Sequence, residues 1–276
     1  MPSLPIASYR VATTVGQAVA LRRKAGRRGA YLAGGTRLFH EERRSRLDLI
    51  DITRLGLERI QVKPSLVAIG ATATLFDLES HPTLGEKGKI AGGLLARAAA
   101  VGSWMTRNAA TVGGLVADGA PDTDLLPVLL AVDARVRFRD SKIRRQPLSE
   151  FLRKRRPEAL VLAVEVPRAF ERGAFERLGR TANDVALVSV AVALSLERSR
   201  IAEARIAVSG ARPGPRRLPR AEGLLEGQQA VPELLAKVAA EAAARCALSS
   251  DARASSSYRR QLVGVLTSRA LARALA

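Results

Sequence analysis

Between Val188 and Leu196 the apolar residues Val188, Val190, Val192, Leu194 and Leu196 fall at every second position. Strict alternation puts them on one face of an extended chain, so this stretch reads as a half-buried β-strand and a poor helix. Ile201 to Val208 reads as its partner. After a Pro-, Gly- and Arg-rich loop from Gly210 to Pro219, the segments Val231 to Arg245 and Tyr258 to Leu275 have the composition of helices. Strands first and helices after predict a separate C-terminal α+β domain over residues 169–276.

Upstream, the pattern predicts strand, helix, strand: Tyr9 to Ala12, then Val15 to Lys24 behind Thr14 as cap, then Ala30 to Ala33 running into Gly34 and Gly35. Leu47 to Ile52 reads as a further strand. Leu57 to Val62 and Leu66 to Gly70 read as a hairpin turning at Lys63-Pro64-Ser65, closing a small lobe over residues 1–70. From Thr72 to Pro167 the chain turns to Ala-rich helices, with Ile90 to Ala100 the clearest and Leu125 to Ala131 another. Arg135 to Arg139 and Leu160 to Val166 read as strands, the second stopped by Pro167, which makes residues 71–168 a second α+β lobe. With 276 residues, 47 % of them hydrophobic, each unit has enough apolar side chains for a core.

The single cysteine, Cys246, makes no internal disulfide and holds no iron–sulfur cluster or structural zinc, and two histidines, His40 and His81, do not make a metal centre. Metal chemistry, if any, belongs to another chain. The N-terminus lacks a signal peptide's apolar segment, and the longest apolar run falls well short of the about 20 residues of a membrane span, so a soluble, cytoplasmic protein is expected. The formal charge of +19 suggests anionic partners or ligands. A nucleic-acid-binding role would need that charge on one face with aromatics for stacking, whereas the Arg runs are dispersed and aromatics are 4 % of the chain.

Two glycine turns carry the candidate chemistry. In Leu32-Ala33-Gly34-Gly35-Thr36 a strand runs into paired glycines, which permit positive φ and let successive N–H groups converge on phosphate oxygens, with Thr36 adding a hydroxyl. The bland alternative is a tight turn. Arg107-Asn108-Ala109-Ala110-Thr111-Val112-Gly113-Gly114 is the second, and Asp124 follows at the head of the Leu125 helix, placed either to cap it or to accept from a ligand hydroxyl. Neither turn matches G-x-G-x-x-G or G-x-x-x-x-G-K-[ST], so neither a Rossmann nor a Walker site is supported.

Taken together, these turns, Asp124 within Ala117-Asp118-Gly119-Ala120-Pro121-Asp122-Thr123-Asp124-Leu125-Leu126-Pro127, Asn183-Asp184-Val185-Ala186 and the ending from Tyr258-Arg259-Arg260 to Arg269-Ala270-Leu271 strongly resemble the FAD-binding medium subunit of molybdenum hydroxylases, the family of carbon monoxide and xanthine dehydrogenases. The resemblance spans nearly the whole chain. It implies a two-lobed PCMH-type domain with FAD in the cleft, followed by the family's small C-terminal domain. It further implies that Leu32, Ala33, Gly34, Gly35, Thr36 and Arg37 wrap the pyrophosphate, that Thr111, Val112, Gly113 and Gly114 add backbone and hydroxyl contacts, and that Asp124 binds a polar part of the cofactor. Val161 and Arg177 match weaker contact positions, and Leu38 and Val185 fall beside the isoalloxazine ring.

The family divides its labour: a large subunit carries the molybdenum cofactor, a small subunit carries two [2Fe–2S] clusters, and the flavin subunit passes electrons to NAD, a quinone or dioxygen, commonly in a heterotrimer doubled into a hexamer. No catalytic residue is implied on this chain, because the flavin carries the redox chemistry. Two departures stand out. Arg37 replaces an acidic or small residue and either pairs with phosphate or points to solvent, and Leu115 replaces an asparagine. These keep open a stand-alone interaction protein that binds flavin weakly. The basic turn Phe151-Leu152-Arg153-Lys154-Arg155-Arg156 either steers an anionic acceptor or is simply solvated.

Overall fold

Thr14 opens the first helix as expected: its hydroxyl accepts from the Gln17 N–H at 3.1 Å, and Gly26, at φ +56°, ends it. In the computed structural model, which describes residues 5–39, 46–85, 91–154 and 156–276, strand β1 (Ile6–Val11), helix α1 (Val15–Ala25), β2 (Gly29–Leu32) and β3 (Leu47–Asp51) form the first unit. Its sheet is parallel, in the order β1-β3-β2. Ala18 and Val19 of α1 pack on Ile50 and Ile52, and this small core closes only against Leu160 and Leu162 of the next sheet.

The second unit comprises β4 (Ile60–Val62), β5 (Leu66–Gly70), α2 (Leu75–Ser80), α3 (Leu94–Ala99), α4 (Trp104–Ala109), α5 (Val112–Asp118), α6 (Leu125–Ala131), β6 (Arg135–Arg139), β7 (Ile143–Pro147), α7 (Leu148–Arg153) and β8 (Leu160–Pro167). Its antiparallel sheet runs β4-β5-β8-β6-β7. The expected hairpin is present, but it joins this sheet and not the first lobe: Val67 and Ile69, fully buried, need the core under β8 to cover them. Ile90, the head of the expected Ile90 to Ala100 helix, lies outside the described residues. A short 3-10 turn, Ala91–Gly93, leads into α3, so the helix is shorter than the composition predicts. Phe151 is not part of a solvated turn either. It sits on α7, buried, its ring edge-on to Phe138 at 5.2 Å, while Arg155 lies outside the described residues.

The third unit comprises β9 (Arg172–Leu178), β10 (Val188–Glu197), β11 (Arg200–Ser209), β12 (Arg216–Arg217), α8 (Pro219–Gly223), α9 (Pro232–Arg245) and α10 (Ser256–Leu275), with an antiparallel sheet in the order β12-β11-β10-β9. The alternation in β10 proves two-sided. Val188, Val190, Val192 and Leu194 face α9 and α10, and the intervening Ala191 and Ala193 are equally buried against the second unit. The small alanines let α6, buried along its whole length, lie close on this face. Each large side chain so buried contributes about 1.5–3 kcal/mol relative to exposure. Arg259, at the start of α10, is also fully buried: it donates to the carbonyls of Leu187 and Gly210 and to Asp251. Among the described residues no helix is long and apolar enough to cross a membrane.

Candidate flavin-binding cavity

β2 delivers the chain into the first glycine turn, and the position of that turn is dictated by its neighbour. A Cβ built on Gly34 would lie 1.5 Å from the backbone oxygen of Ala109 at the end of α4, so only glycine lets the turn rest there. Gly35 takes φ +68°, as the reading of the turn requires, and its carbonyl accepts from the Phe39 N–H at 3.1 Å. The amides of Gly34, Gly35, Thr36 and Arg37 donate to no acceptor among the described residues. Four N–H groups on one short turn beside a cavity are a set of donors for an anion.

The second turn differs. The Val112 amide donates to Ala73 O at 2.9 Å, Gly113 to Ala71 O at 2.8 Å, Gly114 to Thr111 Oγ1 at 3.3 Å and Leu115 to Thr111 O at 3.0 Å. Those donors are taken by the fold. A Cβ on Gly113 would lie 2.5 Å from that of Ala71, so this glycine serves close backbone packing, and Val112 is wholly buried in the core. Thr111 is occupied as the cap of α5.

Between the turns lies a cavity of about 370 Å³, inside the range of small-molecule sites. Ala33, Gly34, Gly35, Thr36, Arg37, Leu38, Thr111, Gly113, Gly114 and Val161 all line it, with Leu115 adding apolar wall. Leu32 ends the strand just before, off the lining. Tyr31, Ile52, Pro157 and Leu160 also line it and carry no mark in the sequence motifs; Asp118 and Arg156 line it as well, and lie within motifs that assign them no place in the site. For Tyr31 a signal existed: it lies two residues before Ala33 on the same strand face. Its hydroxyl donates to Glu158 O at 3.2 Å, and burial pushes its pKa up to about 12. Arg156 is marked in the sequence only as the end of a basic turn, and its place on the cavity depends on distant residues: its guanidinium stands 5.2 Å over the Phe138 ring and donates to Gln146 at 3.4 Å.

Asp124, Arg177 and Val185 form a second group, off the cavity lining. Arg177 Nε lies 3.2 Å from Asp124 Oδ2, and the same guanidinium donates to the carbonyls of Ala182, at 3.0 Å, and Asp184, just before Val185. Asp124 makes no capping bond to α6, so the capping alternative is set aside. Burial pushes its carboxyl up to about 6 against the opposing pull of Arg177 and of the nearby Ser189 hydroxyl. Arg37, half-exposed, pairs with two carboxylates: its Nε lies 2.9 Å from Asp118 Oδ2 and its Nη1 3.6 Å from Asp122 Oδ1.

Residues 5–169 match the family described as the FAD binding domain in molybdopterin dehydrogenase, and residues 173–274 the CO dehydrogenase flavoprotein C-terminal domain. The chain is 30 % identical to the glyceraldehyde dehydrogenase medium chain of Sulfolobus acidocaldarius over 80 % of its length and 81 % of the relative's. It is 29 % identical to the carbon monoxide dehydrogenase medium chain of Hydrogenophaga pseudoflava over 97 % and 96 %. A solved structure of the carbon monoxide dehydrogenase from Hydrogenophaga pseudoflava superposes with a TM-score of 0.91 at 28 % identity, over 99 % of this chain and 98 % of that one. With the paired glycine turns, the cavity between them and both halves of the chain matched, this protein belongs to the family of FAD-binding medium subunits of molybdenum hydroxylases.

Proposed function

We propose that this chain, as the FAD-binding subunit of a molybdenum hydroxylase complex, receives electrons from [2Fe–2S] clusters on a small partner subunit, which a molybdenum-cofactor large subunit reduces, and hands them to an external acceptor. The observation that carries the reading is the first turn: four successive residues whose amides donate to no acceptor among the described residues all line one cavity of about 370 Å³. The residues fit the group: the amides of Gly34 to Arg37 would hold the diphosphate, Ala33, Leu38, Leu115 and Val161 would form apolar wall, and Thr111, Gly113 and Gly114 would back the cavity. Bound FAD supplies the redox chemistry, while the protein binds, orients and shields it. Asp124, Arg177 and Val185 are assigned to the polar tail and ring end of the cofactor. In this reading residues 1–168 form the flavin domain and 169–276 its C-terminal partner, in a cytoplasmic heterotrimer.

The test is anaerobic mixing of the FAD-loaded chain with its dithionite-reduced, desalted [2Fe–2S] partner subunit. Bleaching of the oxidised-flavin absorbance with re-oxidation of the clusters is the expected result. Flavin that stays oxidised beside reduced clusters contradicts the electron-transfer role.

A further inference from the structure

Arg37 reaches across the cleft. It leaves the first turn and meets Asp118, at the end of α5, and Asp122 in the following loop, 81 residues further along the chain in the case of Asp118. Arg37 and Asp118 both line the cavity, and the pair lies at its solvent edge: the arginine side chain is 45 % exposed, the carboxylates 22 % and 20 %. A guanidinium already shared by two carboxylates is not a free cation for a diphosphate, and the turn's own unengaged amides leave it no such task. The same loop is anchored on its far side, where Pro121 O accepts from Gly210 N at 2.7 Å and from Ser209 Oγ at 2.6 Å. Arg37 therefore ties a turn of the first unit to a loop that the rest of the molecule holds still.

We propose that Arg37 is a clasp, a positioning residue that holds the first turn against Asp118 and Asp122 across the cavity mouth and thereby sets the rate at which FAD leaves. The inference rests on the flavin reading above and adds a residue to it. An ion pair this exposed is weak and is screened by salt, so its effect is a few-fold and vanishes at high ionic strength.

The experiment follows FAD release from the loaded full-length chain, on dilution, by the rise of free-flavin fluorescence, with thermal melts confirming that each variant is folded. Arg37→Gln and the double variant Asp118→Asn/Asp122→Asn should each release FAD about threefold faster at low salt. The triple variant should be no faster than either, and all should match the wild type near about 1 M salt. Slower release from the Asp118→Asn/Asp122→Asn variant overturns the clasp, because it means that the carboxylates oppose the diphosphate and Arg37 grips it. Unchanged release from Arg37→Gln, or additive effects in the triple variant, overturn it too. A wild-type chain that retains no FAD overturns the flavin reading itself, an outcome distinct from retention that is insensitive to Arg37.

Discussion

Gly34→Ala is the sharpest test of how the cavity is built. The new Cβ would sit 1.5 Å from Ala109 O, whereas carbon–oxygen contacts settle near about 3.3 Å, so one side must move by about 1.8 Å. Ala109 gives little: the next residue is pinned by Ala110 N to Thr106 O at 2.7 Å and by Leu75 N to Ala110 O at 2.9 Å. The turn must move instead. Overpacking against a fixed backbone atom belongs at the upper end of its usual cost, about 3 kcal/mol, which lowers the melting temperature of a chain this size by about 6–12 °C. A turn displaced by that distance also carries its amides off the diphosphate. Losing two charge-assisted bonds at about 1.5 kcal/mol each weakens FAD binding about a hundredfold. Gly56→Ala is the control: its φ of +67° makes it strained, but a Cβ there meets nothing and it lies off the cavity, so it costs stability without affecting flavin. Calorimetric melts and a fluorescence titration with FAD read both effects. A Gly34→Ala chain with wild-type melting temperature and affinity would refute the packing argument.

Gly114→Asp, whose Cβ meets only Thr111 Oγ1 at 2.8 Å, should fold yet lose flavin by placing a carboxylate at the cavity wall; normal FAD stoichiometry in the folded variant removes this residue from the site. Asp124 makes stability fall as pH rises. Its folded pKa, about 6, exceeds the ordinary 3.8, so the native state holds the proton more tightly than the unfolded chain, and the cost of ionising it grows from about pH 4 to pH 6, reaching about 3 kcal/mol above that. Denaturant unfolding at both ends of that window should show a steeper loss in the wild type than in Asp124→Asn, and equal slopes contradict the assignment. Cys246 is 1 % exposed and burial pushes its thiol up, so it should react with thiol reagents only as the chain unfolds, a prediction that rapid labelling of the native protein would contradict.

Local pattern carries the elements whose environment is local or uniform. Leu125 to Ala131 reads as a helix from its unbroken apolar run and is one, because it is buried all round. The alternation in β10 correctly marks a strand, but not that Ala191 and Ala193 face a second core, since small apolar residues leave that face unmarked. The hairpin of β4 and β5 shows its turn in the sequence and hides its partner, β8, which arrives nearly a hundred residues later. β9 escapes a sequence reading because Arg172, Glu176 and Arg177 look like loop charges. Arg172 donates to Leu275 O at 2.8 Å, Glu176 pairs with Arg273, and Arg177 pairs with Asp124, none of them near in sequence. At the site, Gly35's positive φ is a local need and is legible. The reason for Gly34 is a carbonyl 75 residues away, and the engagement of the second turn's amides by Ala71 and Ala73 leaves no trace in composition.

The central claim is that the cavity between the two turns holds FAD. The direct measurement is the visible absorption spectrum of the purified chain after loading with FAD and removal of unbound flavin, repeated on the assembly co-expressed with its partner subunits, with the cofactor identified after denaturation. The account predicts one FAD per chain, lost in Gly114→Asp. A folded chain without flavin in both preparations would contradict it.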